Sequence, residues 1–220
     1  MNLTSALRRG IGAALLGLAV VASGCAAKIP IDVAPAGGPE RLVIDTRGPE
    51  AFAAGHAPGA LNIQLGWDQL EDRTKSYLPD LERPIALRAS SLSEAQEGAA
   101  VLQELGYTDV TLFSGEASTE SATMELMMAK ELEAILKTGG APMVIDIRQE
   151  SEFKGGVIGE ALLVDQDAGP AAVEGLDKSA RYLIICEGGY RSSQLASWMR
   201  IQGFQDVVNV IDGMSGWRDL

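Results

Sequence analysis

The residues best suited to chemistry are Cys186 and Arg191, which are separated by Glu187, Gly188, Gly189 and Tyr190 and followed by Ser192. A cysteine attacks as its thiolate, so it needs surroundings that favour negative charge on sulfur. Gly188 and Gly189 let the backbone curl tightly with its amides turned inward, and Arg191 adds a planar, permanently charged fork. The set reads as a nucleophilic sulfur in an anion cradle. A cysteine ending a strand is otherwise commonly an inert small hydrophobe, but a core position has no need of such a loop.

The flanking segments must position that loop. Tyr182–Ile185 is an apolar run without alternation, as expected of a strand buried on both faces of a parallel sheet. Beyond the loop, Leu195, Trp198, Met199 and Gln202 follow helical spacing, with Ser192 or Ser193 as N-cap and Gly203 as stop. Cys186 then lies at the carboxyl end of a strand and faces a helix N-terminus. Open α/β sheets bind ligands there, and the helix dipole favours thiolate over thiol.

The Cys-x4-Arg spacing resembles the active-site loop of the rhodanese family of sulfurtransferases. The resemblance implies that Cys186 carries sulfane sulfur as a persulfide, with Glu187, Gly188, Gly189, Tyr190, Arg191 and Ser192 forming the substrate cradle. It further implies a small sulfur donor and a thiol acceptor, or a protein persulfide as partner, and neither cofactor nor metal. Tyrosine-type phosphatases use Cys-x5-Arg, so the spacing argues against a phosphatase or arsenate reductase. A rhodanese-fold module that binds or senses without catalysis is the alternative.

The chain repeats itself. Arg41–Arg47, an apolar run ending in Asp-x-Arg, recurs 101 residues later as Met143–Arg148. Phe52, Gly55, Ala60 and Leu61 recur at the same offset as Phe153, Gly156, Ala161 and Leu162. Two tandem copies of one domain account for this. Gly55-His56-Ala57-Pro58-Gly59-Ala60 in the first copy and Gly213-Met214-Ser215-Gly216-Trp217 in the second also resemble rhodanese motifs. The fold class expected is α/β, with two tandem rhodanese-like domains, each a mainly parallel sheet flanked by helices.

Aligned on Gly106 and Gly203, the first copy has Ala89 opposite Cys186 and Glu94 opposite Arg191, so it cannot carry a persulfide. Its Ser90, Ser91 and Ser93 read as turn and cap residues ahead of a helix. His56, the one histidine of the chain, is expected to shape a turn. Asp45 and Asp146 are expected to pair with Arg47 and Arg148. Between the copies, Met124, Met127, Met128, Leu132, Ile135 and Leu136 fit one helix within Thr119–Thr138.

Arg8 and Arg9 precede an apolar run, Ile11–Ala22, of about a dozen residues, short of the roughly 20 that span a bilayer. The run ends in Ala22-Ser23-Gly24-Cys25, which resembles a bacterial lipoprotein signal with Cys25 as the lipidated residue. The expected organisation is a signal with lipobox at 1–25, a tether at 26–39 that includes a short strand at Ile29–Val33, a cysteine-less domain at 40–118 and a catalytic domain at 119–220. The resulting location is the periplasmic side of the cell envelope, held to the membrane by lipid. If Cys25 is acylated, Cys186 is the one remaining thiol, and one cysteine with one histidine makes a zinc site improbable. A net charge of −12 disfavours nucleic acid as a partner. Glu187, balanced by Arg191 alone, is expected to disfavour dianionic thiosulfate against a less charged persulfide donor.

Overall fold

The computed structural model describes residues 33–35, 41–66, 69–114, 122–139 and 142–220. The expected signal and lipobox and most of the expected tether lie outside these residues. The first half contains β1 (Val33–Pro35), β2 (Leu42–Asp45), α1 (Pro49–Ala54), β3 (Leu61–Asn62), α2 (Gln69–Tyr77), β4 (Ile85–Arg88), α3 (Leu92–Glu104) and β5 (Val110–Ser114). The second half contains β6 (Glu125–Met127), α4 (Ala129–Lys137), β7 (Met143–Asp146), α5 (Glu150–Phe153), β8 (Leu162–Leu163), a 3-10 turn at Gly169–Val173, β9 (Arg181–Ile185), α6 (Tyr190–Ile201), β10 (Asp206–Val210) and α7 (Gly213–Arg218).

Each half forms a five-stranded sheet, in the orders β1-β5-β4-β2-β3 and β6-β10-β9-β7-β8, and every pairing is parallel. The two orders are the same order. Parallel strands must be covered on both faces, which is why Ile44, Ile85 and Leu87 in one sheet and Leu183, Ile184 and Ile185 in the other are fully buried. In each sheet the chain steps outward from β2 or β7 and then returns to its other side. That reversal makes the crevice between β7 and β9 the switch point of the second sheet, and Cys186 follows β9 directly.

The Asp-x-Arg repeat has one geometry in both copies. Asp45 accepts from Arg47 Nε (2.8 Å) and Nη2 (2.6 Å), and Arg47 Nη2 also donates to Gly55 O at 2.8 Å. Asp146 likewise accepts from Arg148, which reaches Gly156 O at 2.7 Å. Each pair therefore ties a strand end to the turn after the next helix. Arg148 and Asp146 are almost wholly buried. Replacing Arg148 by methionine keeps the bulk but strands the carboxylate, and should cost about 3–5 kcal/mol in a denaturant titration. A loss below about 1 kcal/mol would mean the pair behaves like an exposed one.

Ile31–Leu220 is one compact unit, and α6 is its hinge of packing. Ser192 through Ser197 are all buried, and six successive residues run right round a helix. One side of α6 lies on its own sheet and the other on β3 of the first domain. There Ser193 Oγ donates to Asn62 Oδ1 (2.6 Å) and the Asn62 amide donates to Ser197 Oγ (3.0 Å). Val43, Phe52, Ala60 and Ala86 share one apolar cluster with Tyr182, Ile184, Leu195 and Met199, so the core is continuous between the domains.

Two expectations are corrected. The methionine-bearing segment is not one helix: Glu125–Met127 is an edge strand paired with β10, and helix α4 begins only at Ala129. Met124 enters the cluster shared by both domains, Met127 enters the core of the second, and Met128 is exposed. The short strand lies at Val33–Pro35, paired with β5, so residues assigned to the tether belong to the first sheet.

Candidate functional site

Cys186 is the first residue after β9 and is only 1% exposed. Helix α6 starts four residues on, at Tyr190, with Gly189 as its N-cap in the left-handed region (φ 83°). Glycine is required there, because a Cβ would lie 2.2 Å from Ile211 O. Ser192 and Ser193, expected as caps, instead sit buried in the first turn, where each has a side-chain partner that holds the site. Gly203 ends the helix as expected, with φ 90°.

Helix α7 shapes the other side of the loop. Met214 N donates to Cys186 O (2.8 Å) and Ser215 N to Glu187 O (3.1 Å). Gly213 allows this approach, since a Cβ on it would lie 2.5 Å from both carbonyl oxygens. In a trans peptide the N–H points opposite to the preceding C=O. With those carbonyls turned to α7, the amides of Glu187 and Gly188 point away from it, as donors for a negative charge.

A hydrogen-bond chain fixes the sulfur. Asn209 Nδ2 donates to Gly189 O (3.0 Å), which can only accept, so Asn209 Oδ1 must face Ser192 and take its hydroxyl proton at 2.6 Å. Ser192 Oγ, 3.3 Å from Cys186 Sγ, is then left to accept from the S–H of a neutral thiol. Once the thiol ionises, the hydroxyl can rotate and donate to the thiolate. Ser192 thus serves both protonation states of the thiol.

The charges around the loop are paired. Arg191 donates to Glu152 Oε2 (2.5 Å) and Oε1 (2.9 Å) and to Gln166 Oε1 (2.8 Å). Burial opposes charge on Arg191, but the bond to Glu152 and the nearby Cys186 sulfur more than offset it and raise its pKa. Glu187 is bound by Arg218 of α7, with a second contact of 3.3 Å to Nη1. That corrects the expectation of a carboxylate balanced by Arg191 alone: Arg191 is taken by Glu152, and Glu187 by Arg218.

Glu152 also accepts from Gln149 N (2.9 Å), and its bond to Arg191 is the chief cause of a pKa below the ordinary 4.5. A carboxylate whose folded pKa is depressed contributes stability in full above its unfolded value and loses it as pH falls through the folded one. The stabilisation of the loop should therefore be complete above about pH 4.5 and be lost progressively as pH falls from there through the lower folded value. Glu152→Gln should abolish that step in a pH series of fluorescence or hydrogen exchange at the loop. An unchanged acid transition would remove Glu152 from the account.

Residues 34–117 and 128–220 each match the rhodanese-like domain family. The chain belongs to that family. It is 36% identical over 74 residues to the putative sulfurtransferase YtwF of Bacillus subtilis (strain 168), a match covering 34% of this chain and 71% of that protein. It is 33% identical over 76 residues to the thiosulfate sulfurtransferase GlpE of Pseudomonas putida (strain GB-1), covering 34% and 69%. Among solved structures, a rhodanese-like domain protein from Staphylococcus aureus aligns at 31% identity with a TM-score of 0.40, covering 43% of this chain and 91% of that one.

In this rhodanese-like chain the two loops differ as their residues require. Ala89 follows β4 as Cys186 follows β9, but it bears no nucleophile. Ser91 Oγ caps α3 by accepting from Glu94 N (3.2 Å), and Glu94 Oε2 accepts from Ser90 N (3.2 Å). The residue opposite Arg191 thus lies in the first turn of a helix and holds the backbone just before it. His56 stacks on Phe52, with ring centroids 3.7 Å apart, and its Nδ1 lies 2.8 Å from Phe52 O. Burial lowers its pKa, and its backbone bonds in both directions to Ala122, so it joins the linker to the first domain.

Proposed function

We propose that the protein is a sulfurtransferase working through a persulfide on Cys186. The single observation that carries this reading is a cysteine enclosed at a parallel-sheet switch point, with Ser192 on its sulfur and two loop carbonyls held back by α7. Sulfurtransferase relatives covering about one domain each support the same class.

In the first half-reaction the Cys186 thiolate attacks the sulfane sulfur of the donor. A new S–S bond forms, and the donor's own S–S bond breaks with its electron pair leaving on the departing group, which is sulfite when the donor is thiosulfate. The loop amides and the N-terminus of α6 stabilise the negative charge now on the outer sulfur. In the second half-reaction an acceptor thiolate or cyanide attacks that outer sulfur, and Cys186 leaves as thiolate with Ser192 donating to it. The balance needs no redox cofactor.

The test is mass spectrometry of the whole protein after incubation with thiosulfate or an organic persulfide. A gain of one sulfur atom on Cys186, lost on adding cyanide, is expected. A wild-type protein that never gains it would leave the binding or sensing role. In the same reading the first 25 residues export the chain and Cys25 is lipidated, a view supported by the arginine pair, the short apolar run and the Ala-Ser-Gly-Cys ending. Cys25→Ala should then move the protein from the membrane to the soluble fraction with unchanged transfer. Membrane retention would point to an uncleaved anchor.

A further inference from the structure

Among the described residues, four of the eight large apolar side chains left exposed gather on one edge of the second sheet. Leu162 and Leu163 form the edge strand β8, Met143 opens the neighbouring β7, and Val157 stands in the turn that leads into β8. All four are 36–45% exposed. A groove of about 480 Å³ opens beside them, lined by Leu136, Met143, Ile158 and Ala161 among others. Apolar side chains clustered in this way on a polar surface mark a site of association.

The internal repeat shows what such an edge receives. At the offset of 101 residues, Met143, Val157, Leu162 and Leu163 correspond to Leu42, His56, Leu61 and Asn62 of the first copy. Those four are only 0–8% exposed. Helix α6 covers that edge: Ser193 and Ser197 bond Asn62, while Trp198 and Ile201 pack against the cluster that holds Leu42 and Leu61. The same positions are thus closed by a neighbouring domain in one copy and open in the other.

What closes the second edge must come from outside the chain. Helix α6 is already held between its own sheet and β3, and its counterpart α3 shows Glu94, Glu97 and Glu104 to solvent, a poor match for leucines. The β8 edge matches itself. It offers both apolar projections, at Val157, Leu162 and Leu163, and an apolar groove to take them. Lys154 and Glu160 flank Val157, are exposed and opposite in charge, and have no ion pair among the described residues. A two-fold axis brings residue i to j and j to i, so one patch can supply both partners of every contact.

We propose that two copies of the chain pair through their β8 edges about a two-fold axis. Val157, Leu162 and Leu163 of each copy lie against the groove of the other, and each Lys154 faces Glu160 of the partner subunit. The groove is lined by Met143 and Arg181, the first residues of β7 and β9, whereas Cys186 follows the last residue of β9. Pairing there leaves both cysteine loops uncovered.

Sedimentation velocity of the purified protein between about 1 and 100 μM should show a dimer, and Leu163→Glu should weaken it about thirtyfold or more while the cooperative melting transition is retained. Val157→Glu, in an exposed turn, asks the same question should Leu163→Glu fail to fold. Lys154→Glu and Glu160→Lys should each weaken pairing about threefold or more, because each sets like charges together twice in one dimer. An equimolar mixture of those two variants should then favour the heterodimer over either homodimer, which a contact made elsewhere would not do. A dimer indifferent to Leu163→Glu and Val157→Glu, or a mixture without that preference, overturns the proposal. So does a monomer at every concentration; if that monomer floats with phosphatidylcholine vesicles and the Leu163→Glu variant does not, the face belongs to lipid, and otherwise to a different protein.

Discussion

Replacement of Cys186 by serine is expected to lower sulfur transfer by on the order of a thousandfold or more, with the melting temperature nearly unchanged. Serine is close in shape, and its hydroxyl can keep the contact with Ser192, so the loop should persist. Its alcohol is a poor nucleophile at neutral pH and yields no persulfide. The equivalent position in the first domain is Ala89, so that loop offers no thiol to stand in. More than a trace of turnover with a soluble donor would end the covalent reading.

Removing the first domain is expected to have the other large effect. A chain of residues 119–220 would expose the face of α6 that lies on β3 and would strip the shared cluster of Val43, Phe52, Ala60 and Ala86. A domain of that size is stable by only about 5–15 kcal/mol, and uncovering several large side chains at about 1.5–3 kcal/mol each takes most of it. The fragment should be insoluble, or should melt without a cooperative transition in circular dichroism. A soluble, cooperatively folded and fully active fragment would leave the first domain only a role in recruiting partners.

The sequence carried the local part of this design well. An unbroken apolar run, a cysteine, two glycines and an arginine are neighbours in the chain, so their strand-loop-helix arrangement follows from short-range rules. The repeat is equally visible, because Asp45-x-Arg47 and Asp146-x-Arg148 close the same bonds with residues a few positions away. Contacts between distant segments leave no such mark. Glu152 and Gln166 look like ordinary surface residues, yet together they hold Arg191. Asn209, set among the valines of β10, was an available hint, since a buried amide needs partners.

Helix α6 was misjudged at its start for the same reason. Ser192 and Ser193 read as capping residues, because serine is favoured at a helix N-terminus, and with Ser197 both lie buried in α6. They are buried since the first domain supplies Asn62 to meet two of them. The methionines at 124, 127 and 128 fit a helical period, but a strand of three residues is too short for alternation to compete with it. Their destinations in separate cores are a matter of tertiary packing.

The near-complete enclosure of Cys186 bears on how the thiol ages. Overoxidation and mixed-disulfide formation follow thiolate character and access together. A cysteine that is 1% exposed presents almost no surface to a tripeptide thiol or a protein disulfide, whereas a compact sulfur donor or hydrogen peroxide needs far less room. Rates of alkylation should consequently fall steeply with reagent size, from iodoacetamide to a bulky maleimide, at equal intrinsic reactivity. The loop then works as a sieve as well as a cradle, and an occupied persulfide would be shielded from chance thiols until an acceptor slender enough to reach it arrives.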